Sequence, residues 1–310
     1  MTTPRAASAE FPIEPDSTGS EGSDSATIDT DYASIASTIP NYVYQNGRRY
    51  HGFSAGNYPL PNDEREQERL DFLHHVFRLT LDGELCYTKL ENPSRILDVG
   101  TGTGIWAMES RCPENVSFIV DDALKDWVFP ESSFDFIHIR GLGGSIPDWP
   151  LLMRQCYSRL RSGGQIEVSE ARYHFCCDDG TMTEDSVTRL WTDEFHRIAQ
   201  QAGFEFDIFP KVAGWLRDAG FTDVDEVEKV VPVGTWPKDK KLKDRGRYFI
   251  AQFLSNGLET FSTSLLTRVG GWSADEMWKL LNSVSEEVKS NKLHIYTHFS
   301  FAIAKKGTLE

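Results

Sequence analysis

The chain has 310 residues, a formal net charge of −15 at pH 7 and a calculated pI of about 5.0. That length suits one α/β domain with additions, and the acidic balance argues against binding a nucleic-acid backbone by bulk charge. No apolar run is long enough for a membrane span, and five cysteines without a C-x-x-C pair favour a reducing, intracellular compartment.

Composition divides the chain into three predicted regions. Residues 1–40 are rich in Ser, Thr, Asp, Glu, Gly and Pro. They bury too little apolar surface to offset their ordering entropy, so we predict a disordered acidic tail. Residues 41–92 are predicted to form a helical N-terminal cap. Residues 93–310 are predicted to form the main α/β domain, with helical insertions towards the C-terminus.

The predicted cap contains a hairpin and one amphipathic helix. Aromatic pairs on either side of a glycine turn predict a short ordered strand or a hairpin within Tyr42–Phe53. The helix is expected over about Glu64–Leu81, with leucine and phenylalanine side chains on one face. His74 and His75 lie on it as neighbours, which is a poor spacing for metal ligands, and we predict no metal site. Tyr58, in the proline-rich run before the helix, is a candidate to close over a cofactor, although packing alone explains it equally well.

The main domain is predicted to begin with a buried strand that leads into a glycine-rich turn. Ile96–Val99 is a short apolar run, typical of a strand buried on both faces of a parallel sheet. Gly100, Gly102 and Gly104 follow, and their lack of Cβ atoms lets a ligand approach the backbone closely. The helix expected near Gly104 would point its unpaired N–H groups at that ligand. Asp98, two residues before the first glycine, is the discriminating feature.

The carboxylate of Asp98 favours one cofactor over the others. A loop built to hold a pyrophosphate gains nothing from a carboxylate there, whereas a loop that holds the cationic, amino-acid end of S-adenosylmethionine does. We therefore predict an S-adenosylmethionine site that includes Asp98, Gly100, Thr101, Gly102 and Gly104. The glycine spacing also fits the relaxed dinucleotide fingerprint, which leaves a nicotinamide or flavin as an alternative. A tight turn without a ligand is a weaker alternative, because three spaced glycines each lower stability.

Further strands and helices alternate after the glycine turn. Val116–Val120 is predicted to be a second buried strand, ending in Asp121, Asp122 and Ala123, and Phe134–Ile139 is predicted to be a third. Alternation of this kind predicts a parallel, doubly wound sheet. The remaining predicted elements are a helix over 148–161, a strand over 165–170, helices near 184–202 and 212–219, a strand over 224–231, helices near 240–258 and 273–290, and a final strand over 294–304.

Two side chains at the end of the third strand are candidates for the chemistry. Ligands in such sheets bind outside the carboxyl ends of the strands, which places His138 and Arg140 nearest the reacting groups. A hydroxyl or amine acceptor would gain from a base within hydrogen-bond reach. His138 is equally well explained as a core histidine satisfied by a helix, whereas an unpaired arginine is rarely buried. Glu170, at the end of the next strand, is a weaker candidate.

The chain carries a set of short motifs between about Arg48 and Ala304. They are Arg49-Tyr-His51, Tyr58-Pro-Leu-Pro-Asn-Asp63, Ile96-Leu-Asp-Val-Gly-Thr-Gly-Thr-Gly-Ile-Trp106, Asp121-Asp-Ala123, Phe134-Asp-Phe-Ile-His-Ile-Arg140, Leu142-Gly-Gly-Ser145, Asp148-Trp149 and Trp215-Leu-x-x-Ala-Gly-Phe221. With these motifs the chain resembles the fungal LaeA-like methyltransferases, within the class I S-adenosylmethionine-dependent group. The resemblance implies a Rossmann-like, seven-stranded sheet with an antiparallel last strand, a helical cap and S-adenosylmethionine as methyl donor. It also implies a regulator of secondary metabolism that meets velvet-type partner proteins in the nucleus.

The chain departs from this family over residues 107–115. Family members carry a full helix, a second strand ending in an acid that holds the ribose hydroxyls, and a proline-rich loop in this region. A crossover between parallel strands needs about a dozen residues, so we predict that Val116–Val120 lies beside Ile96–Val99 in the lost strand's place. The two aspartates at its end would then follow the glycine turn at about the spacing of a ribose acid. In the family the Asp122 position lies by the adenine amino group, so one aspartate pair would serve both edges of the nucleoside.

Three functions remain open from the sequence. The first is a methyltransferase with a small-molecule or protein acceptor, which the complete glycine motif favours. The second is a regulatory protein that keeps the fold for partner binding, which the shortened segment favours. The third, with less weight, is a nicotinamide enzyme. For the first two we expect a cytoplasmic or nuclear protein that binds neither nucleic acid directly nor a membrane.

Overall fold

The structure is a computed structural model that describes residues 42–45, 47–51, 60–110 and 113–308. The tail predicted over residues 1–40 and the cofactor contact predicted for Tyr58 lie outside the described residues. Within the described ranges, no helix is both long enough and apolar enough to cross a membrane.

The N-terminal hairpin and the first helix are tied together by one buried ion pair. Strands β1 (Tyr42–Gln45) and β2 (Arg48–His51) pair antiparallel, which is the hairpin of the two predicted alternatives, and helix α1 (Glu64–Thr80) follows. The Asp63 side chain caps α1 by accepting a hydrogen bond from the amide three residues further on. It also accepts two hydrogen bonds, of 2.5 and 2.9 Å, from the Arg48 guanidinium. A capping carboxylate held in this bidentate way fixes where the helix begins.

The main sheet has five strands in the part of the chain that the structure describes. They are β3 (Ile96–Val99), β4 (Phe134–Arg140), β5 (Leu160–Ala171), β6 (Thr222–Pro232) and β7 (Tyr296–Lys305). Their spatial order is β3-β4-β5-β7-β6. Strands β3, β4 and β5 are parallel, and β7 is antiparallel to both of its neighbours. The predicted α/β class and antiparallel last strand are confirmed, but the sheet is smaller than the seven-stranded one that the resemblance implied.

Helices cover both faces of this sheet, and a very short one follows the glycine turn. The helices after α1 are α2 (Ile105–Met108), α3 (Trp149–Arg159), α4 (Val187–Gln201), α5 (Phe209–Asp218), α6 (Lys240–Gln252), α7 (Leu258–Ser264) and α8 (Ala274–Lys289), with π-helical turns over Phe253–Gly257 and Leu265–Val269. They match the helices predicted for the second half of the chain with shifted ends. The helix expected near 240–258 continues through these π turns to Val269.

Two apolar clusters lie on opposite faces of the sheet, because side chains alternate along each strand. On one face, Ile137 and Ile139 of β4 pack with α3 and α5. On the other face, the fully buried Phe299 and Phe301 of β7 pack with Phe77 of α1 and with α4, α6 and α8. Helix α1 is thereby held against the sheet face that carries the even-numbered side chains of β4.

The prediction of a second strand is wrong. Val116–Val120 forms no strand, and among the described residues only β4 pairs with β3. Ile119 and Val120 are 59% and 74% exposed, which is incompatible with a strand inside a parallel sheet. Between the glycine turn and Val116, the described residues form the four-residue α2 and a 3-10 turn over Pro113–Asn115. Among them no crossover helix carries the chain back to the amino end of the sheet, which explains why the next segment does not pair with β3.

Candidate cofactor site

The glycine turn after β3 presents bare backbone at one position. Gly100, Gly102 and Gly104 have φ angles of +70°, +60° and +82°, a region that other residues rarely adopt. Cβ atoms on Gly100 and Gly104 would lie 2.6 and 2.8 Å from side chains of the protein. A Cβ atom on Gly102 would meet only Leu70 of α1 within 4 Å, at 3.7 Å. The space around Gly102, under α1, is therefore where a ligand can approach the turn.

Helix α1 lies across the glycine turn and contacts it through polar side chains. The Thr103 hydroxyl donates to Asp71 Oδ1 at 2.6 Å. At the end of α2, the Glu109 carboxylate pairs with Arg78 and lies 3.1 Å from His74 Nε2. Burial lowers the pKa of His74 to about 4, so the ring is neutral at pH 7 and donates to Glu109. These contacts make α1 one wall of the site.

Asp98 and His138 form a hydrogen-bonded pair between adjacent strands. They lie in register on β3 and β4, and His138 Nδ1 is 2.7 Å from Asp98 Oδ1. The Trp106 ring stacks on His138 with 4.0 Å between ring centroids and 9° between planes. Because His138 is only 1% exposed, an acceptor molecule does not reach it. The arrangement fits the alternative of a core histidine, satisfied by a carboxylate on the next strand and covered by a ring from α2.

Arg140 ends β4 at the edge of the site. Its guanidinium lies over the Phe77 ring, 5.1 Å from the ring centroid. It makes no hydrogen bond or ion pair to any other described residue. Burial lowers the pKa of Arg140 to about 10, and nearby carboxylates, Asp98 the strongest of them, oppose this shift. Arg140 is therefore charged at pH 7 and keeps its hydrogen-bond donors available.

The two buried glutamates of β5 hold neighbouring backbone in place. Glu167 accepts hydrogen bonds from the amides of Tyr87 and Thr88, at 3.0 and 2.7 Å. Glu170 accepts one from the Leu142 amide at 2.9 Å, and burial raises its pKa to about 8. Glu170 thus shapes the loop after β4 instead of facing a ligand. In the described part of the chain, no three His, Cys, Asp or Glu side chains are grouped so as to hold a metal ion.

The predicted ribose acids do not end a strand. Asp121 and Asp122 belong to an irregular segment, where Asp122 accepts from the Leu124 amide at 3.0 Å and Asp121 from the Asp122 amide at 2.8 Å. The Ala123 carbonyl accepts from the Gln155 side chain of α3 at 2.9 Å, which anchors the segment to the sheet face opposite α1. No hydrogen bond joins either aspartate to the glycine turn among the described residues. Their expected place beside β3 is not observed, because the strand that was to carry them does not form.

Unsatisfied polar atoms around the turn fit the amino-acid end of S-adenosylmethionine. Thr101 Oγ1 is buried and has no hydrogen-bond partner among the described residues. Asp98 uses one carboxylate oxygen for His138, and its second oxygen has no partner in the same described part of the chain. A buried polar atom such as Thr101 Oγ1 lowers stability unless a ligand or a water molecule satisfies it. At the ribose end, by contrast, no strand beside β3 supplies a carboxylate, so the fit there is poorer.

Sequence reasoning missed Asp71 and gave no role to Trp106. Asp71 precedes His74 and Arg78 by three and seven residues, a spacing that puts all three on one face of a helix. This row of polar residues could have indicated a functional face on the helix, but it does not predict what that face contacts. The stacking of Trp106 on a buried histidine has no signal in the sequence.

A mostly parallel sheet whose strand β3 leads into a three-glycine turn, backed by a carboxylate on that strand, defines the class I methyltransferase type of α/β protein. Residues 72–226 match the family described as a methyltransferase domain. Phosphoethanolamine N-methyltransferase 2 of Haemonchus contortus, in complex with S-adenosyl-L-methionine, superposes with a TM-score of 0.40 at 15% identity, over 78% of this chain and 52% of that one.

Three curated relatives are similar over most of their length. Methyltransferase pytC of Aspergillus terreus is 39% identical over 307 residues, covering 91% of this chain and 94% of the relative. Secondary metabolism regulator LAE1 of Cochliobolus heterostrophus is 33% identical, over 86% and 95% of the two chains. Protein-methionine methyltransferase laeA of Emericella nidulans is 30% identical, over 84% and 76%. The chain belongs to the fungal LaeA-like family of S-adenosylmethionine-dependent methyltransferases.

Proposed function

We propose that this chain is a working methyltransferase of fungal secondary metabolism, which transfers the methyl group of S-adenosylmethionine to a small-molecule or protein acceptor in the cytoplasm or nucleus. The observation that carries the proposal is the intact glycine turn. Thr101 Oγ1 is buried without a partner, Asp98 has a free carboxylate oxygen, and Gly102 opens towards α1. A ligand bound at this turn would satisfy these polar atoms.

The residues at the site favour a reaction driven by orientation. The cofactor, when bound, supplies a methyl group on a sulfonium, and transfer requires an acceptor held in line with it. Asp98, Thr101 and Gly102 would hold the amino-acid end of the cofactor. His138 acts through Asp98, because its hydrogen bond fixes that carboxylate and its own ring is covered. No step in this scheme requires His138 to take a proton from the acceptor.

A second function is favoured by the free edge of the sheet. Strand β3 has no partner on its outer side among the described residues, and the neighbouring Ile119 and Val120 expose apolar side chains. Exposed apolar surface at a sheet edge is typical of a protein-binding site. Under this alternative the chain is an impaired methyltransferase that acts through partner proteins, a velvet-type protein among them.

A two-part experiment separates these functions. Isothermal titration of the full chain with S-adenosylhomocysteine and with NAD tests the cofactor. Incubation with methyl-labelled S-adenosylmethionine and fungal culture extract then shows whether label enters the organic-soluble or the protein fraction. Gly102→Ala is the test variant, because within 4 Å its methyl group would meet only Leu70 of the described residues and would lie where the ligand approaches the turn. Since Gly102 has a φ of +60°, which strains any residue with a Cβ, circular dichroism must first show that the variant is folded.

We expect S-adenosylhomocysteine to bind, NAD not to bind, and label transfer to depend on Gly102. Binding of S-adenosylhomocysteine without any label transfer would favour the partner-binding alternative. Binding of NAD alone would contradict the proposal, and equal ligand affinity in a folded Gly102→Ala variant would show that the turn does not meet the cofactor.

A further inference from the structure

Two oppositely charged side chains flank the glycine turn and keep unused hydrogen-bonding capacity. Asp71 Oδ1 accepts from Thr103, while Asp71 Oδ2 has no partner among the described residues. The Arg140 guanidinium rests on the Phe77 ring and likewise makes no hydrogen bond within the described part of the chain. A buried or half-buried charge without a hydrogen-bond partner is costly, so each is a candidate to meet a ligand.

The two side chains approach the turn from different elements. The register of β3 and β4 ends with the pair Val99 and Ile139, so Arg140 follows on β4 at the edge of the sheet where Gly100 begins the turn. On α1, Leu70 faces Gly102 and Asp71 bonds Thr103, so the helix covers the other end of the turn. The charges are close enough to affect each other: burial raises the pKa of Asp71, and the Arg140 charge opposes that rise.

Of the carboxylates near Arg140, those of Glu109 and Glu167 are engaged by other groups, whereas Asp98 and Asp71 each keep one oxygen free and make no hydrogen bond to the guanidinium in the described part of the chain. Glu109 is engaged by His74 and Arg78, and Glu167 by the amides of Tyr87 and Thr88. The guanidinium is therefore the group at this edge that can accommodate an anion from solution. Its planar fork of donors matches a carboxylate in a bidentate manner.

We propose that Asp71 and Arg140 together bind the α-amino acid end of the cofactor, with Asp71 accepting from the α-ammonium group and Arg140 donating to the α-carboxylate. The proposal rests on the proposed function, because it takes S-adenosylmethionine as the ligand. An α-amino acid is a zwitterion whose two charges are attached to one carbon, and a carboxylate and a guanidinium at one turn complement it. The free oxygen of Asp98 adds a second acceptor on the ammonium side.

This pair makes the amino-acid end the part of the ligand that decides specificity. A pyrophosphate at the turn would bring negative charge next to Asp71 and Asp98, which disfavours nicotinamide and flavin dinucleotides. Adenosine derivatives without the zwitterion lose both contacts. Because the ribose side offers no strand-borne carboxylate, recognition depends on the zwitterion more than it would in a complete sheet.

The test measures the affinity of the full chain for three ligands by titration calorimetry. The ligands are S-adenosylhomocysteine, its decarboxylated analogue, and methylthioadenosine, which lacks the whole amino-acid end. The variants are Asp71→Asn, which keeps an acceptor for Thr103, and Arg140→Gln. Glu68→Gln is the matched control, since Glu68 is an exposed carboxylate on the same helix.

We expect Asp71→Asn to weaken the binding of S-adenosylhomocysteine roughly 10- to 150-fold, as for the loss of one charged hydrogen bond. The affinity for methylthioadenosine should not change. Arg140→Gln should weaken the binding of S-adenosylhomocysteine by a similar factor and leave the affinity for the decarboxylated analogue unchanged. Glu68→Gln should change none of the three. If Arg140→Gln does not fold, Arg140→Lys replaces it, because lysine keeps the positive charge but lacks the bidentate donors. This variant should weaken the binding of S-adenosylhomocysteine and leave the affinity for the decarboxylated analogue unchanged.

Two results would overturn the assignment. Equal losses for S-adenosylhomocysteine and methylthioadenosine in Asp71→Asn would mean that Asp71 only holds the turn through Thr103. Unchanged affinity in both variants would mean that neither side chain meets the ligand. Failure of the cofactor assignment would look different, because the unmodified chain would then bind none of the three adenosine ligands. Failure of methyl transfer alone would show in the labelling experiment and would leave these affinities, and the effects of the two variants on them, unchanged.

Discussion

The sheet has two unlike halves that meet at β4. In what we call the closed half, formed by β4, β5, β7 and β6, helices cover both faces, and Phe299 and Phe301 are 0% exposed. In the open half, formed by β3 and residues 116–130, Ile96 is 38% exposed and both Val120 and Val128 are 74% exposed. The difference shows that packing is loose at the β3 edge of the sheet, whereas the core around β5, β7 and β6 is closely packed.

The cofactor site lies at the boundary between these halves. In the proposed binding mode its amino-acid end meets the glycine turn, α1 and the end of β4, all of which are anchored in the closed half through Phe77 and His138. In the same binding mode its nucleoside end faces the open half, where the chain is irregular. Binding should therefore depend on groups such as Asp71, Thr101 and Arg140, and little on the segment that carries the aspartates.

The largest expected contrast between the halves is in stability. Phe301→Ala removes a fully buried ring from the closed half and should lower the free energy of unfolding by about 3–5 kcal/mol. Phe118→Ala removes the same atoms from a ring that is 38% exposed in the open half, and should cost about 1 kcal/mol. Urea denaturation of both variants measures this contrast. Equal losses would show that the open half is as well packed as the closed half.

The second contrast is in the pH dependence of stability. Burial in the closed half raises the pKa of Glu170 from about 4.5 to about 8. A group whose pKa is raised by folding stabilises the protein below its unfolded pKa, and this stabilisation is lost as pH rises towards the folded value. The loss is at most about 1.4 kcal/mol per pH unit across that window. Glu170→Gln should remove this component.

The measurement is the free energy of unfolding of the unmodified chain and of Glu170→Gln. It is followed over the pH range between the two pKa values of Glu170, from about 4.5 to about 8. The difference between the two curves should change across the window and be constant outside it. Glu84→Gln, at an exposed glutamate before β3, is the control and should run parallel to the unmodified chain. Parallel curves for Glu170→Gln as well would show that Glu170 keeps an ordinary pKa.

The secondary structure of the closed half could be predicted from the sequence, because it follows from local sequence patterns. Alternation, capping residues and apolar periodicity predicted α1, β4, α3 and β7 close to their observed ends. The strand predicted at Val116–Val120 failed for a different reason. An apolar run predicts the preference for a strand, but pairing depends on whether the preceding chain can return to the right edge of the sheet. The short α2 does not provide that return.

The site was predictable in part, for a related reason. Asp98 and the glycines follow from a motif whose spacing implies its own geometry, and the structure places them together in one turn. The helix periodicity of α1 predicted an apolar face but not its buried polar residues, Arg69 and His74 among them. Whether Asp71 faces solvent or the glycine turn is decided by how α1 docks on the sheet. Docking depends on tertiary contacts, so it cannot be predicted from a local sequence pattern.

The smallest expected effect concerns the aspartates of the open half. Asp121→Asn and Asp122→Asn should each change the affinity for S-adenosylhomocysteine by less than about twofold, which corresponds to roughly 0.4 kcal/mol. The reason is that both carboxylates accept hydrogen bonds from their own turn and neither follows a strand beside β3. An asparagine keeps an acceptor oxygen for those local bonds, so the turn itself should persist.

Comparing the affinities for S-adenosylhomocysteine and its 2′-deoxy analogue tests whether either aspartate binds the ribose hydroxyl. If neither aspartate holds the ribose, both variants should lose as much affinity on removal of the hydroxyl as the unmodified chain does. Asp71→Asn, on the closed side, should by contrast lower affinity for both ligands by the same large factor. If Asp121→Asn or Asp122→Asn instead abolished the penalty for the missing hydroxyl, that aspartate would be the ribose ligand. The irregular segment would then close over the nucleoside on binding, and the open half would be an unfilled part of the cofactor site instead of a lost edge.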